Sequence, residues 1–228
     1  MQRRHFCALA VAAAWAGTSR GACAADAVSN ADAASGIRAA LERGATAAVA
    51  LLGRPDGFLG NPKVRIELPS YLKDAAKMLK FTGQQRQVDD LVTAMNRAAE
   101  AAVPEAKTLL IAAVKSISVG DARAIVAGGD DSVTRFFADK TRVPLSERFL
   151  PIVKRQTDRV DLAAQFNAFA GKAAGFGLVK GDDANVERYV TRKALDGLYL
   201  MIGEEEKKIR SDPVGTGSAI LAKVFGGR

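Results

Sequence analysis

The chain has 228 residues, 48% of them hydrophobic and 25% charged, and carries a formal charge of +8. Its one histidine (His5), two cysteines (Cys7, Cys23) and one tryptophan (Trp15) all lie in the first 24 residues. If those residues are removed, serine–histidine and cysteine–histidine catalysis, cysteine- or histidine-based zinc sites and disulfides are all excluded.

Their removal is expected. Arg3 and Arg4 precede an apolar run, Phe6 to Gly17, shorter than the about 20 residues that span a bilayer. Ala22 and Ala24 then give the small-x-small spacing of a signal-peptide cleavage site, with the cut after Ala24. The competing reading is an N-terminal helix of the fold. Cys23 as a lipidation site is disfavoured by Arg20. Arg3–Phe6 matches only part of a twin-arginine signal. The expected product is an exported, periplasmic chain. Arg3, Arg4 and Arg20 leave with the signal and no acid does, so the charge falls to +5. No basic run is interleaved with aromatics, and nucleic acid is not an expected partner. Any metal would need oxygen ligands, hence Ca²⁺ or Mg²⁺. No motif demands one, so no metal or cofactor is expected.

Residues 25–35 are small and polar and read as a disordered linker, followed by a helical domain over 36–228. Ile37, Ala40, Leu41, Ala45, Ala48, Val49 and Leu52 recur at helical spacing, and Gly53 stops that helix. The one long irregular loop, at about 53–69, carries Asp56-Gly57 and Gly60-Asn61-Pro62 turns. Val64–Leu68 alternates, as a short extended segment does. Long loops can be functional. The plainer reading is a loop anchored on the core by Phe58, Leu59, Ile66 and Leu68.

Ser70–Phe81 reads as a helix capped by Ser70. Gln84–Ile117 is the longest periodic segment, with Pro104 inside it, and predicts one kinked helix or two meeting at Pro104. Asp89, Thr93, Asn96 and Glu100 fall along one flank of its first half. Such a row could bind a cation or a polar ligand. It could equally be a hydrogen-bond network meeting Arg97 or Arg123. Ser118 with Asp121 forms a capping box for a helix over Val119–Ala127. Asp130 and Asp131 follow Gly128-Gly129. They are ligand candidates, or caps of the next helix, Ser132–Lys140. The Gly-Lys-Ser/Thr end of a phosphate loop is absent.

Thr141–Pro144 reads as a turn, with further helices over Leu145–Thr157, Leu162–Ala174 and Gly217–Phe225. Asp182, Asp183 and Asn185 lack EF-hand spacing and read as caps. The helix at about 186–211 is apolar round most of its middle and should be the buried centre of the fold. Asp196 lies within that part and, as a lone carboxylate, should meet Arg192 or another donor as a structural pin. Gly197 beside it would admit a neighbouring helix. The charged run Glu204–Arg210 reads as a solvated face with Glu204–Lys208 and Glu206–Arg210 pairs, or as an interaction face. The fold class is all-α, a single compact domain of eight or nine helices.

The stretches DGFLGNPKVRIELP, DDLVTAMNRAAEAAVPEAK, GGDDSVTRFFADKT, YVTRKALDGLYLMIGEEEKKIRSDP and KVFG resemble the domain-of-unknown-function 4197 family over about Gly36–Gly226. The resemblance implies a mostly helical exported protein with no assigned activity, so no catalytic residue is carried over. The family's Arg-Thr-Thr run before the last helix is replaced here by Val214-Gly215-Thr216-Gly217-Ser218, and that arginine's role is not carried over either. Two functions are weighed. One is a non-catalytic envelope protein binding a partner or an apolar ligand. The other is a carboxylate enzyme, Ca²⁺- or Mg²⁺-dependent, on Asp89, Asn96, Glu100, Asp130, Asp131 or Asp196.

Overall fold

The structure, a computed structural model, describes residues 30–81, 83–160, 163, 164, 166, 167 and 185–212. The described residues are helical or irregular, without a strand. They form seven α-helices: α1 (Asn30–Leu52), α2 (Ser70–Phe81), α3 (Gln85–Ala102), α4 (Ala106–Lys115), α5 (Val119–Ala127), α6 (Ser132–Thr157) and α7 (Val186–Ser211). Among the described residues the count falls below the expected eight or nine, because Ser132–Lys140 and Leu145–Thr157 are one helix. Gly217–Phe225, most of Leu162–Ala174, and residues 1–29 lie outside the described residues.

α1 begins at Asn30, ahead of the expected Gly36, so residues 30–35 are helix and not linker. Alanine is the strongest helix former, and Ala34, 1% exposed, extends the buried stripe through Ile37, Leu41, Ala45, Ala48 and Leu52. The long periodic segment divides at Pro104. A 3-10 turn, Val103–Glu105, places the proline where no intrahelical N–H is required, and separates α3 from α4. Both halves of the Ser118–Asp121 capping box form at α5. Arg38 of α1 donates twice to the Ile117 carbonyl just before it, at 3.0 and 2.6 Å.

α6 corrects the expected turn at Thr141–Pro144. It runs unbroken through Pro144 and Pro151. Its buried residues are Val133, Phe137, Thr141, Leu145, Phe149, Val153 and Thr157, a strict spacing of four. On a 3.6-residue helix such a stripe advances about 40° per step, so it spirals round the axis. α6 accordingly packs against α7, α3, α4 and α5 in turn. Pro151 is exposed, and so are Lys140 and Glu147, whose carbonyls lose their N–H partners to the two prolines. Water can satisfy those carbonyls, which is why the helix survives.

α7 lies against α6, α1 and α3, with Val190, Ala194 and Leu198 fully buried. It runs antiparallel to α6: Ser132 meets Glu206, Gly203 sits beside Thr134, and Thr141 meets Tyr199. It is not buried all round. Leu200 is 45% exposed, and the Asp196 side chain is 42% exposed. Gly197 admits the 53–69 loop, not a helix: a Cβ there would lie 2.8 Å from Phe58 Cε1 and 3.3 Å from Val64 Cβ. The Phe58 ring is fully buried and has nowhere to retreat.

Gly197→Ala should therefore cost about 1–3 kcal/mol through overpacking and lower the melting temperature by several degrees. Phe58→Leu in the same chain should restore part of it. A melting temperature unchanged by Gly197→Ala would contradict this packing.

Candidate functional site

The C-terminal half of the polar flank of α3, Asn96 and Glu100, lies inward against the 53–69 loop, while Asp89 and Thr93 are exposed. Asn96 is fully buried and acts as a surrogate backbone. Its Oδ1 accepts from Ile66 N at 2.8 Å, and its Nδ2 donates to Ile66 O at 2.9 Å and Val92 O at 2.8 Å. Glu100, 5% exposed, accepts through Oε1 from Phe58 N at 3.0 Å and Leu59 N at 3.1 Å. Its Oε2 takes Arg97 Nη1 at 2.7 Å, and Arg97 Nη2 reaches Asp56 at 2.8 Å. Hydrogen bonding to Glu100 foremost, then to Asp56, raises the Arg97 pKa against the opposing effect of burial. Every strong acceptor on Asn96 and Glu100 is thus engaged with the protein.

These bonds fix the loop's path. Turns through Asn61 reverse the chain, with Val64 N and Arg65 N both donating to Asn61 O. Asp56 adopts a positive φ of 63°. A Cβ on Gly57 would lie 2.4 Å from the Leu52 carbonyl oxygen, so the loop can press onto the end of α1 only with glycine there. Val64, Ile66 and Leu68 then point inward while Arg65 and Glu67 point out, the alternation of a strand without a sheet. Leu59, expected as an anchor, is only half-buried. Further ties come from α7: Tyr189 donates its hydroxyl to Glu67 O at 3.0 Å, and Lys63 bonds Glu204. Lys63, and less strongly Lys207, hold the Glu204 carboxyl below its ordinary range.

The clamped segment is one wall of a cleft of about 380 Å³, closed by α2 and α3. Leu68, Ala76, Val88 and Val92 form its apolar floor, and each is buried. Lys73 and Lys77 stand on the α2 side, Asp89 and Thr93 on the α3 side. Arg65 and Glu67, also at the rim, pair with each other at 2.8 Å. Gln85 donates to both oxygens of Asp89, at 2.9 and 2.8 Å. A larger hollow lies near Leu150, Lys154 and Arg188.

The expected site residues therefore separate. Asn96 and Glu100 clamp the loop, and Asp89 faces the cleft. Asp130 and Asp131 are exposed elsewhere, beside the start of α6. Asp131 pairs with Arg135 at 2.9 Å and makes no side-chain cap. That N-terminus is served by Glu206 of α7, which accepts from Ser132 Oγ at 3.2 Å, Val133 N at 3.3 Å and Thr134 N at 3.4 Å. Arg210 binds Glu206, Ser132 Oγ and Ile125 O. The expected solvated Glu206–Arg210 pair is real but buried, with side-chain exposures of 2% and 15%. Glu204 reaches Lys63 and Lys207, while Lys208 takes Glu205. Asp196 meets Arg142 at 2.9 Å and Arg192 at 3.5 Å at the surface. Among the described residues, no three His, Cys, Asp or Glu side chains are grouped to hold a metal ion.

A family model described as Protein of unknown function (DUF4197) matches residues 27–226, and the chain belongs to that family. No curated protein and no solved structure matches it.

Glu100→Ala strands two loop N–H groups and should cost about 2–6 kcal/mol, each orphaned donor accounting for about 1–3. Glu100→Gln keeps an acceptor and should cost less than half of that. Equal losses for the two, read by urea unfolding, would contradict the clamp. Asp196→Ala, at a half-exposed ion pair, should cost about 1 kcal/mol or less. A loss of several kcal/mol would show that Asp196 pins the core.

Proposed function

We propose that this member of the DUF4197 family is a non-catalytic binding protein of the bacterial envelope that holds a small amphipathic anion in the cleft between the loop, α2 and α3. The observation that carries the reading is the make-up of that cleft. Its floor is apolar, and charged and polar side chains (Arg65, Glu67, Lys73, Lys77, Asp89 and Thr93) ring it, so an apolar body and a charged head can both be met there. Its about 380 Å³ falls within the range of such sites. The floor takes the ligand's apolar body, and Lys73 and Lys77 meet its anionic head. The Met1–Ala24 signal supports export to the periplasm, and no helix among the described residues is long and apolar enough to cross a membrane.

The carboxylate-enzyme alternative requires two acids whose environments push their proton affinities apart at one cleft. Glu100 has both oxygens engaged, Asp131 is paired elsewhere, and Glu67 beside Asp89 is neutralised by Arg65. No observation favours that reading.

The test is titration with 1-anilinonaphthalene-8-sulfonate, an anionic amphipath, followed by fluorescence. The natural protein should bind saturably at one site. Thr93→Trp, at an exposed rim position, should fill the cleft and abolish binding without loss of fold. Lys73→Glu with Lys77→Glu should weaken binding about tenfold or more, equivalent to about 1.4 kcal/mol. Equal binding by the natural and Thr93→Trp proteins would overturn the assignment.

A further inference from the structure

The walls of the cleft between the loop, α2 and α3 differ in charge. Lys73 and Lys77 stand one helical turn apart on the α2 wall. Asp89 and Thr93 stand one turn apart on the α3 wall. The loop wall is electrically balanced, because Arg65 Nε lies 2.8 Å from Glu67 Oε1. Between the walls lies the apolar floor of Leu68, Ala76, Val88 and Val92.

Asp89 differs from Glu67 in having no cation to neutralise it. Among the described residues its partner is the amide of Gln85, one turn earlier, which donates to both oxygens at 2.9 and 2.8 Å, and no lysine or arginine pairs with it. A neutral amide holds the carboxylate in place without cancelling its charge. The two oxygens of a carboxylate offer about four lone-pair sites, so accepting capacity remains at this exposed position. On the opposite wall Lys77 has a further interaction of its own. An ammonium carries three donors, so that interaction still leaves donors for a ligand.

A ligand that is only an anion meets attraction on one wall and repulsion on the other, since like charges brought together oppose binding. A protonated amine on the same ligand turns the second wall from repulsive to attractive, and the Thr93 hydroxyl, one turn on, can accept another of its N–H groups. Discrimination of this kind needs both the attractive and the repulsive element. We infer, on the basis of the binding role proposed for this cleft, that its ligand is a zwitterion. Its apolar chain lies on the floor, its anionic head meets Lys73 and Lys77, and its protonated amine meets Asp89 and Thr93. An α-amino acid with a long apolar side chain is the simplest molecule of that class.

Calorimetric titration of the full chain with octanoate and with 2-aminooctanoate tests this. The two share a carboxylate and a tail and differ by the amine. 2-Aminooctanoate should bind about fivefold or more tightly, the weight of one ion pair at an exposed rim. Asp89→Asn keeps the size of the side chain at an exposed position and removes its charge. It should abolish the preference by weakening 2-aminooctanoate, with octanoate bound as well as before or better. Asp89→Glu keeps the charge and should keep a preference, and Lys73→Gln should weaken both ligands alike. Equal binding of the two ligands by the natural chain, or a preference that survives Asp89→Asn, overturns the zwitterion. If Thr93→Trp still blocks both ligands in that case, the cleft remains the binding site. Binding that Thr93→Trp leaves intact, or no binding of either ligand or of 1-anilinonaphthalene-8-sulfonate, overturns the cleft and the zwitterion together.

Discussion

A buried peptide group must find a hydrogen-bond partner, and this fold has to meet that demand for an irregular stretch. The 53–69 loop brings Phe58, Val64, Ile66 and Leu68 into the core, and their backbone comes with them. No neighbouring strand is available among the described residues. α3 supplies the partners as side chains: one amide, Asn96, that both donates and accepts, and one carboxylate, Glu100, that accepts twice. Once the backbone is satisfied, Phe58 can fill the space over Gly197, and the next residues of the loop can stand as a wall of the cleft.

The helices around this clamp solve the same problem in other ways. α6 keeps two prolines because the bonds they delete open to water on its outer side. Its first turn is half-buried, and Glu206 reaches across from α7 to accept from it, with Arg210 balancing the charge. Breaking such a buried pair on one side is costly, about 3–5 kcal/mol. The charged tail of α7 is thus bound into the fold and is not merely solvated. Farther along the seam, Asp196 lies at the surface, where its two arginines rest on tyrosines.

Much of this was legible in the sequence where the signal is local. Ser70–Phe81 and the break at Pro104 follow from spacing, and the Ser118–Asp121 box from capping chemistry. The row through Asn96 and Glu100 marks a polar flank beside the core, and Arg97 was among its expected partners. What the row holds could not be read, because Ile66 and Phe58 are brought to it by the loop's course. The prolines of α6 misled because a proline looks the same in sequence on a wet face and on a dry one. The Glu206–Arg210 pair was visible at its i,i+4 spacing, but its burial depends on Ile37, Ile125 and Val133 from three other elements. Asp196 looked embedded because its helical neighbours are apolar, yet it occupies the one narrow side that faces water.

The central claim, that α3 side chains hold the loop as firmly as a helix is held, is tested most directly by native-state hydrogen exchange. The amides of Phe58, Leu59 and Ile66, which donate to Glu100 and Asn96, should exchange only through the opening that exposes the α3 amides, with similar free energies. Exchange of these three amides at the rates of an open loop, with α3 still protected, would contradict the account.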